Sequence, residues 1–109
     1  MADASKDPIV QQFVERCRSM GEKIKMVYLF GSRAKGTARP DSDYDLLLVV
    51  SEAFSLQEKG ALYDQVIDTL LESGRLVSLK IFREQAFQRL CDLHTPFTTH
   101  VLKEGLKVG

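Results

Sequence analysis

The stretch Leu29-Phe30-Gly31-Ser32-Arg33-Ala34-Lys35-Gly36, followed after Thr37 to Ser42 by Asp43-Tyr44-Asp45-Leu46-Leu47, decides how this chain is read. Ile24 to Phe30 is a nearly continuous apolar run with β-branched and aromatic residues, and Tyr44 to Val50 is a second, so both predict buried strands. Between them Arg33 to Ser42 is polar and carries Gly36 and Pro40, the composition of a loop. A glycine directly after a buried strand lets the backbone turn sharply and come close to a ligand. A serine there, opening a short helix, offers a hydroxyl and free N–H groups to phosphate oxygens. Asp43 and Asp45 are two apart at the start of a strand, which puts both carboxylates on one face, about 7 Å apart along the backbone. Two such anions repel unless a cation lies between them, and Mg²⁺ takes carboxylates together with substrate phosphates.

Each half of this pattern is weak by itself, since Gly-Ser after a strand is usually an ordinary turn and Asp-x-Asp is more often a solvated strand entrance than a metal site. Together, four fixed positions at average residue usage arise by chance in a chain of this length roughly one time in a thousand. The order strand, turn, loop, strand strengthens the match further.

Outward from this stretch, Ile9, Val10, Phe13, Val14 and Cys17 recur at helical spacing from Asp7 to Met20, with Asp7 as cap, Pro8 at the first helical position and Gly21 as the stop. Leu62, Tyr63, Val66, Ile67, Leu70 and Leu71 predict an amphipathic helix from Leu56 to Leu71, with Asp64, Gln65, Asp68 and Thr69 toward water and Ser73-Gly74 ending it. Leu76 to Phe82 alternates as a third strand, Val77, Leu79 and Ile81 on one face and Leu76, Ser78, Lys80 and Phe82 on the other. Glu84 to Cys91 and Pro96 to Glu104 predict two short helices, the last closed by Gly105 before the tail Leu106-Lys107-Val108. Tyr44 points away from the two aspartates and is expected in the core, while His94 and His100 stand at no metal-binding spacing.

With 109 residues and 44% hydrophobic content, the chain suits one domain spanning 1–109 with one packed core. Lysine plus arginine number 15 and so do aspartate plus glutamate, so no net field draws the chain to nucleic acid or an anionic membrane, although a local basic patch stays open. The start Met-Ala-Asp-Ala-Ser-Lys-Asp-Pro has no apolar core of a signal peptide, and no stretch approaches the ~20 apolar residues of a membrane span. A cytoplasmic protein is expected. Cys17 and Cys91 form neither a C-x-x-C pair nor a zinc pattern, and Cys17 falls on the apolar stripe of the first helix.

On Gly31-Ser32, the variable loop and Asp43-Tyr44-Asp45 opening a strand, the chain resembles the minimal nucleotidyltransferases of the polymerase-β-like superfamily, and Pro96 to Gly105 looks like the closing helix and tail of these small proteins. The resemblance implies an α/β (α+β) fold, a small mixed sheet with helices packed on it. It further implies a bound nucleoside triphosphate, ATP first among them, with Mg²⁺ or Mn²⁺, and transfer of a nucleoside monophosphate to an acceptor hydroxyl on a protein, a small molecule or an RNA end. Carried over position by position, Gly31 and Ser32 hold the β and γ phosphates within a loop running to Gly36, with Ser42 completing the nucleotide site. Arg33 or Lys35 neutralises phosphate charge, and Asp43 and Asp45 bind the metal and carry catalysis.

The chain departs from that pattern at the third carboxylate expected on the following strand. Ser78 stands at the aligned place with Lys80 on the same face, and a hydroxyl is a poor substitute for a carboxylate as metal ligand or base. A shifted strand register, or Glu84 entering from the next helix, is the alternative. Two functions follow: a Mg²⁺-dependent nucleotidyltransferase, or a weakly active or inactive module of the same fold that binds nucleotide or a partner. Small members resemble the antitoxin half of two-component systems, which implies a helical, HEPN-like protein partner; a homodimer is the other arrangement.

Overall fold

Asp7 and Pro8 start the first helix as the sequence predicts. In the computed structural model, which describes residues 6–39 and 42–109, α1 spans Pro8–Ser19 and the Asp7 carboxylate accepts from the Ile9 backbone N–H at 2.9 Å. The residues 1–5, read above against a signal peptide, and Pro40, read as part of the loop, lie outside the described residues, as does Asp41. There follow β1 (Ile24–Phe30), α2 (Ser32–Lys35), β2 (Tyr44–Val50), α3 (Leu56–Ser73), β3 (Val77–Arg83), α4 (Glu84–Asp92), α5 (Pro96–Glu104) and β4 (Leu106–Lys107). The strands lie in the order β3-β2-β1-β4, with β1 antiparallel to both β2 and β4 and β2 parallel to β3, which makes the mixed α/β sheet that was expected. The parallel pair needs a crossover, and α3 provides it.

Because β2 is central and covered on both sides, its residues from Leu46 to Val50 are all buried, which is why they read as an unbroken apolar run. Tyr44, Leu46, Leu48 and Val50 pack with Phe13 and Cys17 of α1 and Leu62 of α3. Leu47 and Val49 face the other way, into a cluster with Phe87 of α4 and Val101 of α5. Aromatic rings fill that second side: Phe30 meets Phe97 edge-on at 5.6 Å between centroids, and Phe82 lies 6.2 Å from the same ring. Asp43 and Asp45 belong to this second face, at its open end. No helix among the described residues is long and apolar enough to cross a membrane.

The structure corrects the sequence reading at four places. The short helix expected to open at Ser32 is α2, but it takes in Arg33 to Lys35, which were counted with the loop, and the irregular segment begins at Gly36, whose left-handed backbone (φ 75°) ends that helix. The third strand runs Val77–Arg83, one residue later than read, with Leu76 outside it; the alternation of its faces is unchanged. The tail is not free chain, since Leu106 and Lys107 pair with Leu29 and Tyr28 of β1. Thr69, expected in water, is 2% exposed, whereas Ile67 and Leu71, expected in the core, are 53% and 79% exposed. The reason lies in α1: Arg16 donates to Thr69 Oγ1 at 3.3 Å, and that hydroxyl donates to the Gln65 carbonyl, so burial leaves it satisfied. α3 therefore meets α1 along a narrower line than its apolar residues cover.

Candidate functional site

Gly31 is where the two halves of the motif meet. Its backbone (φ 75°, ψ −157°) lies in a region closed to other residues, and a Cβ placed there would fall on Oδ2 of Asp45. Strand pairing makes this so: Phe30, the last residue of β1, is opposite Asp45 in the antiparallel ladder. The glycine turn and the second aspartate thus form one wall, with Ser32 opening α2 immediately beside it. The Ser32 hydroxyl takes part in no hydrogen bond to a protein group among the described residues, and Thr37 closes the short helix by donating its N–H to the Ser32 carbonyl at 3.0 Å.

The charge of Asp43 acts on Asp45. Partial burial raises the Asp45 carboxyl above its ordinary 3.8, the charge of Asp43 raises it further, and Lys80 pulls it back. Neither carboxylate has an ion-pair or hydrogen-bond partner among the described residues. Nor do those residues contain a group of three or more His, Cys, Asp or Glu side chains able to hold a metal. Two oxygen donors against a glycine wall, with open space for phosphate oxygens, fit a hard divalent cation that keeps most of its shell for substrate and water.

Arg33 and Lys35 are already engaged. Arg33 donates Nε and Nη2 to the Ser42 carbonyl at 3.1 and 2.7 Å, and its guanidinium lies 4.0 Å over the Tyr44 ring. The Tyr44 hydroxyl in turn donates to Asp7 Oδ2 at 2.7 Å. Burial chiefly, and then Asp7, push that hydroxyl up to about 12. Tyr44 is thus in the core as expected, while Arg33 fastens the segment that delivers Asp43 to β2. Ser42 serves the same segment: its hydroxyl accepts from the Arg39 N–H at 2.9 Å and its own N–H donates to the Arg39 carbonyl. Lys35 pairs with Glu104 of α5 at 3.1 Å, and His100 reaches the same carboxylate at 3.3 Å. Asp7 was legible only as a helix cap and Glu104 not at all, because their contacts with Tyr44 and Lys35 arise only through tertiary packing.

On the neighbouring strand the register is unambiguous. Asp45 pairs with Ser78 and Leu47 with Lys80, so Ser78 stands beside the second aspartate and Lys80 lies two residues along the same face. Glu84 follows the far end of β3, about 20 Å from Ser78 at the rise of a strand, and caps no part of this site. The residue beside Asp45 on β3 is thus Ser78, with Glu84 at the other end of that strand. The clefts of about 160 Å³ beside Phe54 and Leu56 and about 330 Å³ between α1 and Val108 lie elsewhere; Asp43 is exposed and Asp45 half-buried, so the two carboxylates form a ledge reached by solvent.

A family model described as "Polymerase beta, Nucleotidyltransferase" matches residues 12–108. A Methanocaldococcus jannaschii protein that bears the provisional name of protein adenylyltransferase is 29% identical over 106 residues, covering 93% of this chain and 95% of its own. Among solved structures, one chain of a toxin–antitoxin complex with AMP-PNP superposes with a TM-score of 0.58 at 19% identity, over 91% of this chain and 72% of that one. A chain from the complex of a tri-AMPylated Shewanella oneidensis HEPN toxin with an MNT antitoxin gives 0.51 at 15% identity, over 90% of this chain and 66% of that one. At those identities the structural likeness is one of fold.

Proposed function

The chain belongs to the polymerase-β nucleotidyltransferase family, and from that premise we propose that it transfers adenylate from ATP, with Mg²⁺, to a hydroxyl on a protein partner. The observation that carries this reading is the contact of Gly31 with Asp45, which joins a phosphate-sized turn to a pair of unpartnered carboxylates. Gly31 and Ser32 would receive the β and γ phosphates, and Asp43 and Asp45 would hold the metal. Bound there, Mg²⁺ supplies positive charge to the phosphates. In the transfer the acceptor oxygen forms a bond to the α-phosphorus, the bond from that phosphorus to the bridging oxygen breaks, pyrophosphate leaves, and the acceptor proton passes to water. Arg33, Tyr44 and Ser42 contribute by fixing the approach to Asp43. Lys35 and Gly36 border the phosphate turn, with Lys35 exchanging Glu104 for phosphate on binding.

Support for adenylate and for a protein acceptor comes from the relatives: one bears the name of protein adenylyltransferase, one was solved with AMP-PNP, and one complex contains an AMPylated toxin. A protein partner also agrees with the apolar residues that α3 leaves in solvent, Leu56, Tyr63, Ile67, Leu70 and Leu71. The second reading, a nucleotide-binding module with little catalysis, draws on Ser78 beside Asp45. Parallel labelling of a cell lysate with [α-³²P]ATP and [γ-³²P]ATP tests the two. Transfer of the α label alone to a protein band, dependent on Mg²⁺ and absent with Asp43→Asn/Asp45→Asn, is the expected result. Transfer of the γ label would contradict adenylylation, and metal-dependent nucleotide binding without transfer would favour the module.

A further inference from the structure

The face that carries Asp43 and Asp45 holds an uneven set of charges. Strand pairing puts the neutral Ser78 directly beside Asp45, and the next residue on that face of β3 is Lys80, an exposed cation with no ion-pair partner among the described residues. Its charge already acts on the Asp45 carboxylate, in opposition to burial and to Asp43. A divalent cation bound by both aspartates would satisfy them. A second one would need a further anionic donor on the β3 side, where this chain presents a hydroxyl and an ammonium, and an ammonium on that side repels a second Mg²⁺.

Resting on the nucleotidyltransferase reading above, we propose that this site takes one divalent cation rather than two, with Lys80 supplying the second positive charge against the nucleotide phosphates. Ser78 is then the residue that decides the metal count, and Lys80 is a nucleotide-binding residue. The bound nucleotide is held by a metal on the β2 side and by an ammonium on the β3 side of the same ledge. Charge neutralisation at that second place is therefore independent of Mg²⁺ concentration.

Counting Mn²⁺ by electron paramagnetic resonance tests this directly, with α,β-methylene-ATP as a nucleotide that cannot transfer its adenylate and with protein in excess of both. One tightly bound Mn²⁺ per protein–nucleotide complex is expected in the wild type, and two in Ser78→Asp. Lys80→Met is expected to weaken nucleotide binding about tenfold, the loss of one close charge pair, with Lys80→Arg restoring most of it. Two Mn²⁺ in the wild type would overturn the inference and leave the nucleotidyltransferase reading intact. No Mn²⁺ and no nucleotide bound would overturn that reading and this inference with it. The wild-type count decides without either variant.

Discussion

At the residue scale the account turns on Gly31, Asp45 and Arg33. Gly31→Ala demands a conformation closed to alanine and drives a methyl onto the Asp45 carboxylate, so it should lower stability by about 1–3 kcal/mol in urea unfolding and eliminate nucleotide binding. Unaltered binding in that variant would place the phosphates elsewhere. Asp45 has the opposite relation to stability. Its carboxyl is raised above 3.8, so the protonated form is the one the fold favours. That advantage is complete below the unfolded value and is lost as pH rises through the raised folded one. At neutral pH the ionised group is a cost, and Asp45→Asn should make the metal-free protein slightly more stable, by no more than about 0.5 kcal/mol after solvent screening. The gain should vanish toward about pH 3, where Asp45 is protonated in both states. A less stable variant at pH 7 would contradict this electrostatic picture. The meeting of Gly31 and Ser32 with the two aspartates was legible because strand, turn and strand follow one another within a short stretch. The engagement of Arg33 with Ser42 and Tyr44 was not, since a lone arginine beside a phosphate-type turn reads as a phosphate ligand until its partners are placed. Arg33→Met should cost about 1–2 kcal/mol through the lost hydrogen bonds and ring contact, read by urea unfolding.

At the level of elements, β1 and β2 were readable to the residue: β2 because burial on both faces leaves a continuous apolar run, and β1 because Val27 and Leu29 are buried on one face while Met26, Tyr28 and Phe30 are partly covered on the other. β4 was not, because two residues carry no period, and Leu106 and Lys107 become a strand only through the edge that β1 offers. Gly105 leads into them where no side chain fits: a Cβ at that position would collide with the Val101 carbonyl and press on the Leu29 carbonyl. Gly105→Ala should therefore destabilise the protein by about 1–3 kcal/mol in thermal or urea unfolding, although its φ of −74° is open to alanine. A neutral result would mean that the α5–β4 junction relaxes freely. The faces of α3 were misjudged for a related reason. Its apolar residues form a broader stripe than α1 and the sheet can cover, and Thr69 takes a place in the interior by bonding to Arg16 and Gln65.

Across the whole molecule, the balance of 15 basic and 15 acidic residues gives no net field, and two local features stand out: the ledge at the open end of β2 and the apolar face of α3. The two are separable. Ile67→Glu with Leu71→Glu changes residues that are 53% and 79% exposed, so the isolated chain should keep its stability within about 0.5 kcal/mol and its nucleotide affinity unchanged. A large loss of stability in urea unfolding would mean that this face is covered even without a partner. The central claim, that Gly31 with Asp43 and Asp45 forms a metal-dependent nucleotide site, is tested most directly by calorimetric titration of ATP into the protein with and without Mg²⁺. Saturable binding that requires Mg²⁺ and disappears in Asp43→Asn/Asp45→Asn, with the fold of the variant intact by circular dichroism, is the result this account predicts. Equal binding without metal, or in the double variant, would contradict it.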